Sequence, residues 1–389
     1  MIKTIKVMLC PNNKQKTKML ECAGTARFIY NWTLWYQKTN YDFGYSFVKD
    51  GEIRKTLTVL KENNPNFKWL NGYSQKIAGH AVKDACNAYE RFFKGLAKYP
   101  NFKSKRKSKP SYHIHSDRIK FTKTHVKLEK LAASKKKNKQ QLNWVRLAQH
   151  DRIPENAKYY NPRVTFDGLN WWISVGIEFE DKTDQPTNEG IGIDIGIKDL
   201  AVCSDKEVYK NINKSSKVKK LKKKVRRLQR SISRKYLKNK KGERYCKTSN
   251  IIKSEKKLLK LNRRLSNIRH SYLHSVTSEI ISRKPKFIVL EDLNVAGMMK
   301  NKHLAKAIAE QCFYEFYRQL QYKCEWNNIE FITADRYFPS SKTCSCCGNI
   351  KKDLKLSDRI YKCAECGNVI DRDYQAALNL AKYGNGLIA

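Results

Sequence analysis

Apolar and polar positions in the first hundred residues predict one strand followed by three helices. Residues 2–9 alternate weakly between apolar and polar side chains, which indicates a strand. Apolar side chains then recur every three or four positions, the helical spacing, in three stretches: about 15–36, 52–62 and 74–98. Ser74 can cap the third helix, because its hydroxyl can accept a hydrogen bond from a backbone N–H of the first turn. We expect a helical domain over residues 12–105.

The pattern then changes to short strands. Strand-sized runs separated by turns occupy about 119–122, 125–130 and 142–148. A hairpin follows, in which residues 163–167 and 171–180 flank a turn at 168–170. Such closely spaced strands predict a small barrel. The first strand can join this barrel, which then takes residues 1–11 and 106–185 and makes the helical domain an insertion.

The second half of the chain predicts strands and helices around one long helical hairpin. Residues 190–205 indicate a strand, a turn and a strand, and the apolar run 287–290 indicates another strand. Between them, two apolar series step by three and four residues: Val218, Leu221, Val225, Leu228 and Ile232, then Leu258, Leu261, Leu265, Ile268 and Tyr272. They predict an antiparallel pair of helices with an apolar seam over residues 214–275. Three more elements follow: a helix at about 305–325, a strand at about 329–334 and a helix at about 373–383.

The chain is strongly basic, with 80 Lys and Arg residues against 36 Asp and Glu residues and a formal net charge of +44. Such a charge requires a polyanionic partner, and nucleic acid is the commonest one. The sequence has no apolar run of about 18 residues that could span a membrane. Its N-terminus lacks the apolar core of a signal peptide. We therefore expect a cytoplasmic protein that associates with nucleic acid and not with membranes.

The helical hairpin concentrates this charge, because residues 214–264 contain 23 Lys and Arg against Glu243 and Glu255. A solvated charged face is the alternative interpretation, but the excess is larger than solubility needs, so phosphate contact is favoured. Further basic runs lie at 103–109 and 135–139. The candidate phosphate contacts are Lys103, Lys105, Arg106, Lys223, Arg226, Arg227, Arg230, Arg263 and Arg264.

Four cysteines form two C-x-x-C pairs, Cys344 with Cys347 and Cys363 with Cys366, separated by 15 residues. Each pair can present two thiolates to one ion, and tetrahedral zinc takes four such ligands. A redox dithiol is the alternative, but two matched pairs argue against it. Cys346 is a rival ligand that lacks the pair spacing. We predict a structural zinc ribbon over residues 341–367, since four protein ligands leave no open position for catalysis.

Acidic residues stand where predicted elements begin or end. Asp194 lies within an apolar strand, where a charge costs several kcal/mol unless something such as a metal ion pairs with it. Glu291 ends the strand FIVLE, and Asp371 and Asp373 open the last helix. Alternation places Glu291 and Asp292 on opposite faces, and Asp292 and Asp371 are more typical of helix caps. Converging carboxylates are what two-metal phosphodiester chemistry needs, with Mg²⁺ as the preferred ion.

Three motifs resemble the TnpB/OrfB proteins of bacterial insertion sequences, relatives of compact type V CRISPR nucleases. They are GIDIGIKDLA at 192–201, VLEDLNVAGM at 289–298, and FPSSKTCSCCG, CAECG and DRDYQAALN within 338–379. RFIYNWTL at 27–34 and the block at 69–105 resemble the recognition region of that family. By this resemblance the catalytic, Mg²⁺- or Mn²⁺-binding residues are Asp194, Glu291 and Asp373. The family places its third acid directly before the residue-x-Ala-Ala sequence, which favours Asp373 over Asp371. Gln375 departs from the family, which usually has Asn there.

The resemblance implies a multidomain α/β protein with a RuvC-type, ribonuclease-H-like nuclease domain at 186–340 and 368–389. By the resemblance, the zinc ribbon is an insertion in this nuclease domain. The predicted barrel corresponds to a wedge-type β-barrel into which the helical recognition domain is inserted. The implied partners are a guide RNA and double-stranded and single-stranded target DNA, with no required protein partner, in the bacterial cytoplasm at the nucleoid. The implied reaction is DNA cleavage beside a short target-adjacent motif. Candidates for the contact with that motif are Gln75, Lys76 and His80, on or near the exposed helix face.

RNA guidance also agrees with what the sequence lacks, because no segment has the pattern of a helix-turn-helix or a finger array that could specify a long DNA sequence. Base pairing with a guide would supply that specificity. Three alternatives stay open: a DNA transposase or recombination accessory protein, a non-cleaving nucleic-acid-binding regulator, and a structure-selective resolvase. Loss of an acid would indicate the regulator, and none is lost. Resolvases are shorter and lack the basic hairpin and the zinc ribbon.

Overall fold

A computed structural model of the chain describes residues 2–129, 131, 141–180, 185–355 and 358–388. Contacts between residues divide the chain into two compact units, Met1–Glu180 and Asp181–Ala389. The basic run at 135–139 lies outside the described residues. Among the described helices, none has both the length and the apolar content needed to cross a membrane.

The first unit contains one antiparallel sheet of seven strands. They are β1 (Ile2–Cys10), β2 (Ser111–His113), β3 (Lys120–Phe121), β4 (His125–Lys127), β5 (Trp144–Leu147), β6 (Tyr159–Phe166) and β7 (Trp171–Glu178). Their order is β2-β6-β7-β1-β5-β4-β3, so β1 joins the later strands as predicted. The expected closed barrel is wrong for the described residues, because the edge strands β2 and β3 do not pair with each other. These edges span only three and two residues, too few for a closing ladder.

Among its described residues the first unit also has three α-helices: α1 (Asn13–Asp42), α2 (Asp50–Asn63) and α3 (Gln75–Phe93). A capping box starts α1, in which the side chains of Asn12 and Gln15 each accept from the other's backbone N–H. Ser74 caps α3 as predicted by accepting from the N–H of Lys76. Helix α3 ends earlier than its apolar pattern, because Gly95 takes a left-handed conformation with φ +69°.

The second unit is built on a five-stranded mixed sheet. Its strands are β8 (Ile191–Ile195), β9 (Asp199–Cys203), β10 (Val208–Lys210), β13 (Phe287–Glu291) and β14 (Glu330–Ala334). Two small hairpins lie outside this sheet. One pairs β11 (Lys240–Lys241) with β12 (Arg244–Tyr245), and the other pairs β15 (Ile360–Lys362) with β16 (Val369–Asp371). The order in the large sheet is β10-β9-β8-β13-β14. The first three strands pair antiparallel, whereas β8, β13 and β14 run parallel.

The described part of this unit has six α-helices: α4 (Ser216–Lys238), α5 (Ser249–Ser282), α6 (Val295–Met298), α7 (Ala305–Gln311), α8 (Phe313–Glu325) and α9 (Arg372–Ile388). The predicted basic hairpin is formed by α4 and α5, with Val218, Leu221, Val225 and Leu265 buried in its seam. The single helix predicted at 305–325 is broken into α7 and α8 at Cys312, whose φ and ψ of 57° and 43° are left-handed. A non-glycine residue in that conformation ends an α-helix.

Candidate active site and metal centres

Sheet register brings two of the predicted acids side by side. Strands β8 and β13 are parallel, with Ile193 opposite Leu290. The next residues are Asp194 on β8 and Glu291 on β13. Glu291 is the last residue of β13, and β8 ends one residue after Asp194. Both side chains are partly buried. Two acids more than 90 positions apart in the sequence therefore lie at one edge of the sheet.

Helix α9 brings the third acid to the same edge. A Cβ added to Gly192 would lie 2.1 Å from the carbonyl oxygen of Ala377, so the helix backbone packs directly on β8 at this glycine. Asp194 follows Gly192 by two strand residues, about 6.6 Å. Asp373 precedes Ala377 by four helix residues, about 6 Å. The charge of Asp373 acts on Asp194, so the first turn of α9 lies near the carboxylate of Asp194.

The pKa of Asp194 reflects the proximity of the three carboxylates. Burial raises the pKa of Asp194 well above its ordinary value, and the carboxylates of Glu291 and Asp373 raise it further. The guanidinium of Arg372 acts in the opposite direction. A cation bound between partly buried carboxylates offsets the repulsion between their negative charges. Carboxylate oxygens are also the ligands that Mg²⁺ prefers. The three residues therefore fit a divalent metal site.

Two further acids have other roles. Asp371 caps α9, because its Oδ1 accepts from the N–H groups of Asp373 at 2.9 Å and Tyr374 at 3.1 Å. The interpretation of Asp292 as a helix cap is wrong, since Asn294 caps α6 by accepting from Gly297 at 2.8 Å. Asp292 instead forms an ion pair with Arg336. Asp292 lies two positions before the cap residue Asn294, too far for its side chain to serve as the cap.

Two residues that the sequence analysis did not single out touch the acids. The guanidinium of Arg359 lies 3.8 Å from the carboxylate of Asp373. The hydroxyl of Ser340 donates a hydrogen bond to Oε1 of Glu291. Both residues flank the cysteine pairs, so proximity to the zinc-ribbon motif was the signal that could have suggested them. Gln375, where the family usually has Asn, is fully buried, and its Oε1 accepts from the N–H of Ser345 at 3.5 Å.

The four paired cysteines come together as one group. Every ligand sulfur of Cys344, Cys347, Cys363 and Cys366 lies within 4.8 Å of the others. Two of the sulfur–sulfur distances are 3.6 Å, from Cys344 to Cys366 and from Cys347 to Cys363. Bonds of about 2.3 Å to a tetrahedral zinc ion separate sulfur atoms by about 3.8 Å, so the cluster fits that ion. Cys346 is exposed and outside the group.

The thiol of Cys344 is prepared for ionisation. Burial works against the thiolate, but the backbone N–H groups of Cys347 and Cys346 and the thiols of Cys366 and Cys363 together outweigh it, and the pKa of Cys344 falls to about 6. Gly348 and Gly367 follow the two pairs with φ of +78° and +68°, the left-handed conformation that such tight turns need. Strands β15 and β16 lie on either side of the second pair, and β16 leads directly into α9. The result is a ribbon built around four sulfur ligands.

Most candidate phosphate contacts are exposed. Lys105, Arg106, Lys223, Arg226, Arg227, Arg230 and Arg264 are all exposed, whereas Arg263 is partly buried. Lys103 differs, because its ammonium lies 3.4 Å from the centre of the Tyr30 ring and burial lowers its pKa. We therefore treat Lys103 as a poorer phosphate contact than its neighbours.

The three candidates for the target-adjacent motif line one groove in the first unit, with a volume of about 410 Å³. Gln75 and Lys76 are exposed at the start of α3. His80 lies near the exposed face rather than on it, because its ring is half-buried and stacks on His113 at 5.1 Å between centroids. Burial, followed by the charge of His113, lowers the pKa of His80 to about 4. His80 is therefore a neutral wall of the groove at neutral pH.

Three family models match the chain. A "Probable transposase" model, OrfB_IS605, covers residues 174–302, and a Cas12f1-like TNB domain model covers residues 313–380. A "Helix-turn-helix domain" model of the same OrfB group covers residues 1–44. In this last range the structure contains strand β1 and one continuous helix, α1.

Relatives match along nearly the whole chain. "Putative RNA-guided DNA endonuclease InsQ" of Escherichia coli (strain K12) is 28% identical over 100% of this chain and 94% of its own length. A "Putative RNA-guided DNA endonuclease" of Streptomyces pristinaespiralis is 28% identical over 98% of this chain and 89% of its own. The solved structure described as "Cryo-EM structure of the Cas12f1-sgRNA-target DNA complex" has a TM-score of 0.60 and 16% identity, and covers 95% of this chain and 82% of that one.

Fold and site together define a multidomain α/β protein with a RuvC-type, ribonuclease-H-like domain and a four-cysteine, zinc-ribbon-like cluster. The predicted fold class is thereby confirmed, apart from closure of the barrel. The chain is similar to the TnpB/OrfB proteins of insertion sequences, as its motifs indicate: family models match residues 1–44, 174–302 and 313–380, and relatives 28% identical match nearly its whole length.

Proposed function

We propose that this protein is a transposon-encoded, RNA-guided DNA endonuclease whose catalytic residues are Asp194, Glu291 and Asp373. The observation that carries the proposal is the convergence of three carboxylates from β8, β13 and α9 at one edge of a ribonuclease-H-like sheet. Its relatives in Escherichia coli and Streptomyces pristinaespiralis carry names of the same activity.

The reaction is hydrolysis of a DNA phosphodiester. When bound, Mg²⁺ or Mn²⁺ supplies activation of the attacking water and stabilisation of the leaving oxygen. Asp194 and Glu291 are fixed by the sheet, so the oxygens that would hold the ions need no reorganisation. Asp373 is fixed by the first turn of α9, which Asp371 caps. Arg359 beside Asp373 provides a positive charge at the edge where a scissile phosphate would lie.

Zinc has a structural role in this proposal. Cys344, Cys347, Cys363 and Cys366 would hold one Zn²⁺ and leave no open coordination position for water or substrate. Their compact arrangement supports this assignment. The ribbon then serves to hold the chain on either side of it, which includes Ser340 before the first pair and α9 after the second.

RNA guidance follows from how the positive charge is distributed. The hairpin α4–α5 exposes Lys223, Arg226, Arg227, Arg230 and Arg264, and Lys105 and Arg106 are exposed in the first unit. Contacts of this kind recognise phosphates and not base sequence. A guide RNA would supply the sequence specificity by base pairing, while the protein holds the RNA–DNA heteroduplex by its backbones.

The test of RNA guidance compares protein stripped of RNA with protein given its cognate RNA, on a matched and a mismatched DNA target. We expect cleavage only with RNA and the matched target. Sequence-specific cleavage by RNA-free protein would overturn the proposal and favour an autonomous endonuclease or transposase. Binding should also weaken with salt, with a log–log slope of about −0.9 for each phosphate contact on duplex DNA.

The groove in the first unit is the proposed contact for the target-adjacent motif. It is lined by Gln75 and Lys76 and by the cations Arg54, Lys61 and Lys83, and none of its described lining residues is acidic. Lys61 is buried and Arg54 pairs with Asp50, whereas Lys83 is exposed. The groove therefore suits an amide and an ammonium that read base edges beside the phosphate-binding cation Lys83. The placement of the amide and the ammonium at the first turn of α3 supports the proposal.

A library of targets with randomised flanking sequence tests this contact. We expect Lys76→Ala and Gln75→Ala to change which flanking sequences are cleaved. Lys94→Ala, an exposed cation after the other end of α3, is the matched control and should leave that preference intact. An unchanged flanking preference in both groove variants would remove the groove from the proposal.

A transposase or recombination accessory protein is the second candidate, favoured by the description of the model that matches residues 174–302. A carboxylate metal site serves strand joining as well as hydrolysis. An assay that follows both free ends of a labelled DNA distinguishes the two. We expect cleaved ends without joined products.

A further inference from the structure

The side chain of Ser340 links the zinc-ribbon segment to a carboxylate of the proposed active site. Ser340 is buried, and its hydroxyl donates a hydrogen bond to Oε1 of Glu291. We propose that Ser340 is a positioning residue, which holds Glu291 in the orientation that binds a catalytic divalent cation. This inference rests on the proposed function, because it needs Glu291 to be a metal ligand.

The hydroxyl can orient Glu291 because the backbone of Ser340 is itself held. The side chain amide of Asn379 donates to the carbonyl oxygens of Ser340 and Thr343, both at 2.7 Å. The N–H of Ser340 donates to the carbonyl oxygen of Phe338 at 2.8 Å. The carbonyl oxygen of Pro339 accepts from the N–H of Thr343 at 3.0 Å and from its hydroxyl at 2.9 Å. Ser340 therefore has one fixed position in the loop after β14.

Helix α9 connects this arrangement to the rest of the proposed site. Asn379 is buried on α9, the same helix that begins with Asp373. Glu291 ends β13, which lies beside β14 in the sheet. One hydrogen-bonded chain thus runs from α9 through Asn379 and Ser340 to Glu291. This chain fixes the carboxylate of Glu291 relative to α9, the helix that supplies Asp373.

The hydrogen bond from Ser340 strengthens metal binding by restricting the orientation of the Glu291 carboxylate. A carboxylate with one oxygen held by a donor has fewer orientations to lose when its other oxygen binds an ion. Partners that orient a metal ligand in this way are commonly worth about 10- to 100-fold in metal affinity or activity. Ser340 also lies four residues before Cys344, so the sulfur cluster and the carboxylate site share this segment.

The test measures divalent metal binding directly as well as cleavage. Mn²⁺ is titrated into RNA-free protein and followed by electron paramagnetic resonance, with Asp194→Ala as the background. Cleavage by the RNA-loaded protein is measured over a range of Mg²⁺ concentrations. For Ser340→Ala we expect a 10- to 100-fold higher half-saturating concentration in both titrations, by the general effect of such partners. Cleavage at saturating Mg²⁺ should return to within about tenfold of the native rate.

Two variants separate positioning from a general structural role. Ser341→Ala removes the neighbouring hydroxyl, which interacts with Arg372 and not with Glu291, and should leave both titrations unchanged. Ser340→Cys keeps the size of the side chain but has a weak donor, so it should retain the fold and still lose metal affinity. Zinc content and melting temperature are measured for every variant to detect loss of the ribbon.

The outcomes distinguish the inference from the function on which it rests. Unchanged Mn²⁺ affinity in Ser340→Ala, with or without a loss of cleavage, overturns the positioning role but leaves the nuclease intact. A native protein without Mn²⁺ binding that depends on Asp194 overturns the proposed metal site and the inference together. Weaker Mn²⁺ binding in both Ser340 variants, with native zinc content, supports the inference.

Discussion

The sulfur cluster and the carboxylate site of the second unit are assembled in opposite ways. The four cysteines come from two short turns separated by 15 residues, and all their ligand atoms lie within 4.8 Å of one another. The three carboxylates come from two strands and a helix spread between Asp194 and Asp373. Among the described residues they do not form a group that is as compact as the thiolates.

This difference corresponds to what each site has to hold. One zinc ion needs four ligands at bond length, which two tight turns supply locally. Two catalytic ions about 3.5–4 Å apart need ligands spread over a wider space, with room for water and substrate. A compact local site stabilises a fold, whereas a spread site at the edge of a sheet can admit a phosphodiester. Perturbing the two sites should therefore have different consequences.

Removal of a carboxylate should have the largest effect on cleavage. Asp194→Ala, Glu291→Ala and Asp373→Ala should each reduce it by on the order of 100- to 1,000-fold or more, since a bound metal contributes several kcal/mol to transition-state stabilisation. Nucleic-acid binding should remain, because it depends on Lys and Arg. Cleavage and electrophoretic mobility assays on the same preparations measure both. An inactive Asp371→Ala together with an active Asp373→Ala would show that the third acid is misassigned.

A brief treatment with EDTA should distinguish the two sites, because the catalytic ions are removed and replaced more easily than the zinc ion. Cleavage should stop in EDTA and return when Mg²⁺ or Mn²⁺ alone is added, provided that zinc stays bound during a brief treatment. Zinc analysis before and after the treatment checks that condition. Undiminished cleavage in EDTA would contradict the two-metal mechanism. If cleavage recovers only when zinc is added, the zinc ion of the sulfur cluster is needed for activity.

Loss of one sulfur ligand should act on stability more than on chemistry. Cys363→Ser should reduce bound zinc below one ion per chain and lower the melting temperature, because the described apolar cluster of the ribbon is small and includes Cys363 itself. Cys346→Ser is the matched control, since this exposed thiol lies outside the cluster and should leave zinc content unchanged. Full zinc retention by Cys363→Ser would contradict the ligand assignment.

Asp371→Ala should have the smallest effect. Its carboxylate caps α9 through two backbone N–H groups, and a lost cap costs about 0.5–2 kcal/mol of stability. Asp371→Asn preserves a good cap and should be close to the native protein in thermal unfolding. A loss of cleavage in Asp371→Asn with native stability would mean that the charge of Asp371 takes part in the chemistry.

Local features of this molecule were readable from its sequence. The C-x-x-C spacing predicted which four cysteines would cluster and that Cys346 would not join them. The steps of three and four residues predicted the α4–α5 hairpin and its seam. These predictions succeed because turn geometry and helical periodicity depend on residues close together in the chain. The motifs that resemble the family carried the fold class and the three acids.

Tertiary packing decided the rest. The burial of His80 depends on stacking with His113, which arrives from a strand more than 30 residues later. The break at Cys312 accompanies a side chain hydrogen bond from Gln311 to the carbonyl oxygen of Gly196 at 2.7 Å. Whether β2 and β3 meet depends on the curvature of a whole sheet. None of these has a local pattern, because each depends on contacts between distant segments.

The acids show both contributions in one site. The sequence determined that Asp194, Glu291 and Asp373 are present at the ends of a strand, a strand and a helix. The structure decided that these ends coincide, through the parallel register of β8 with β13 and the close approach of α9 at Gly192. It also decided that the hydroxyl of Ser340 meets Glu291, a contact across 49 positions of the chain. A sequence fixes which groups are available and their local geometry, whereas their meeting requires the free energy of packing the complete fold.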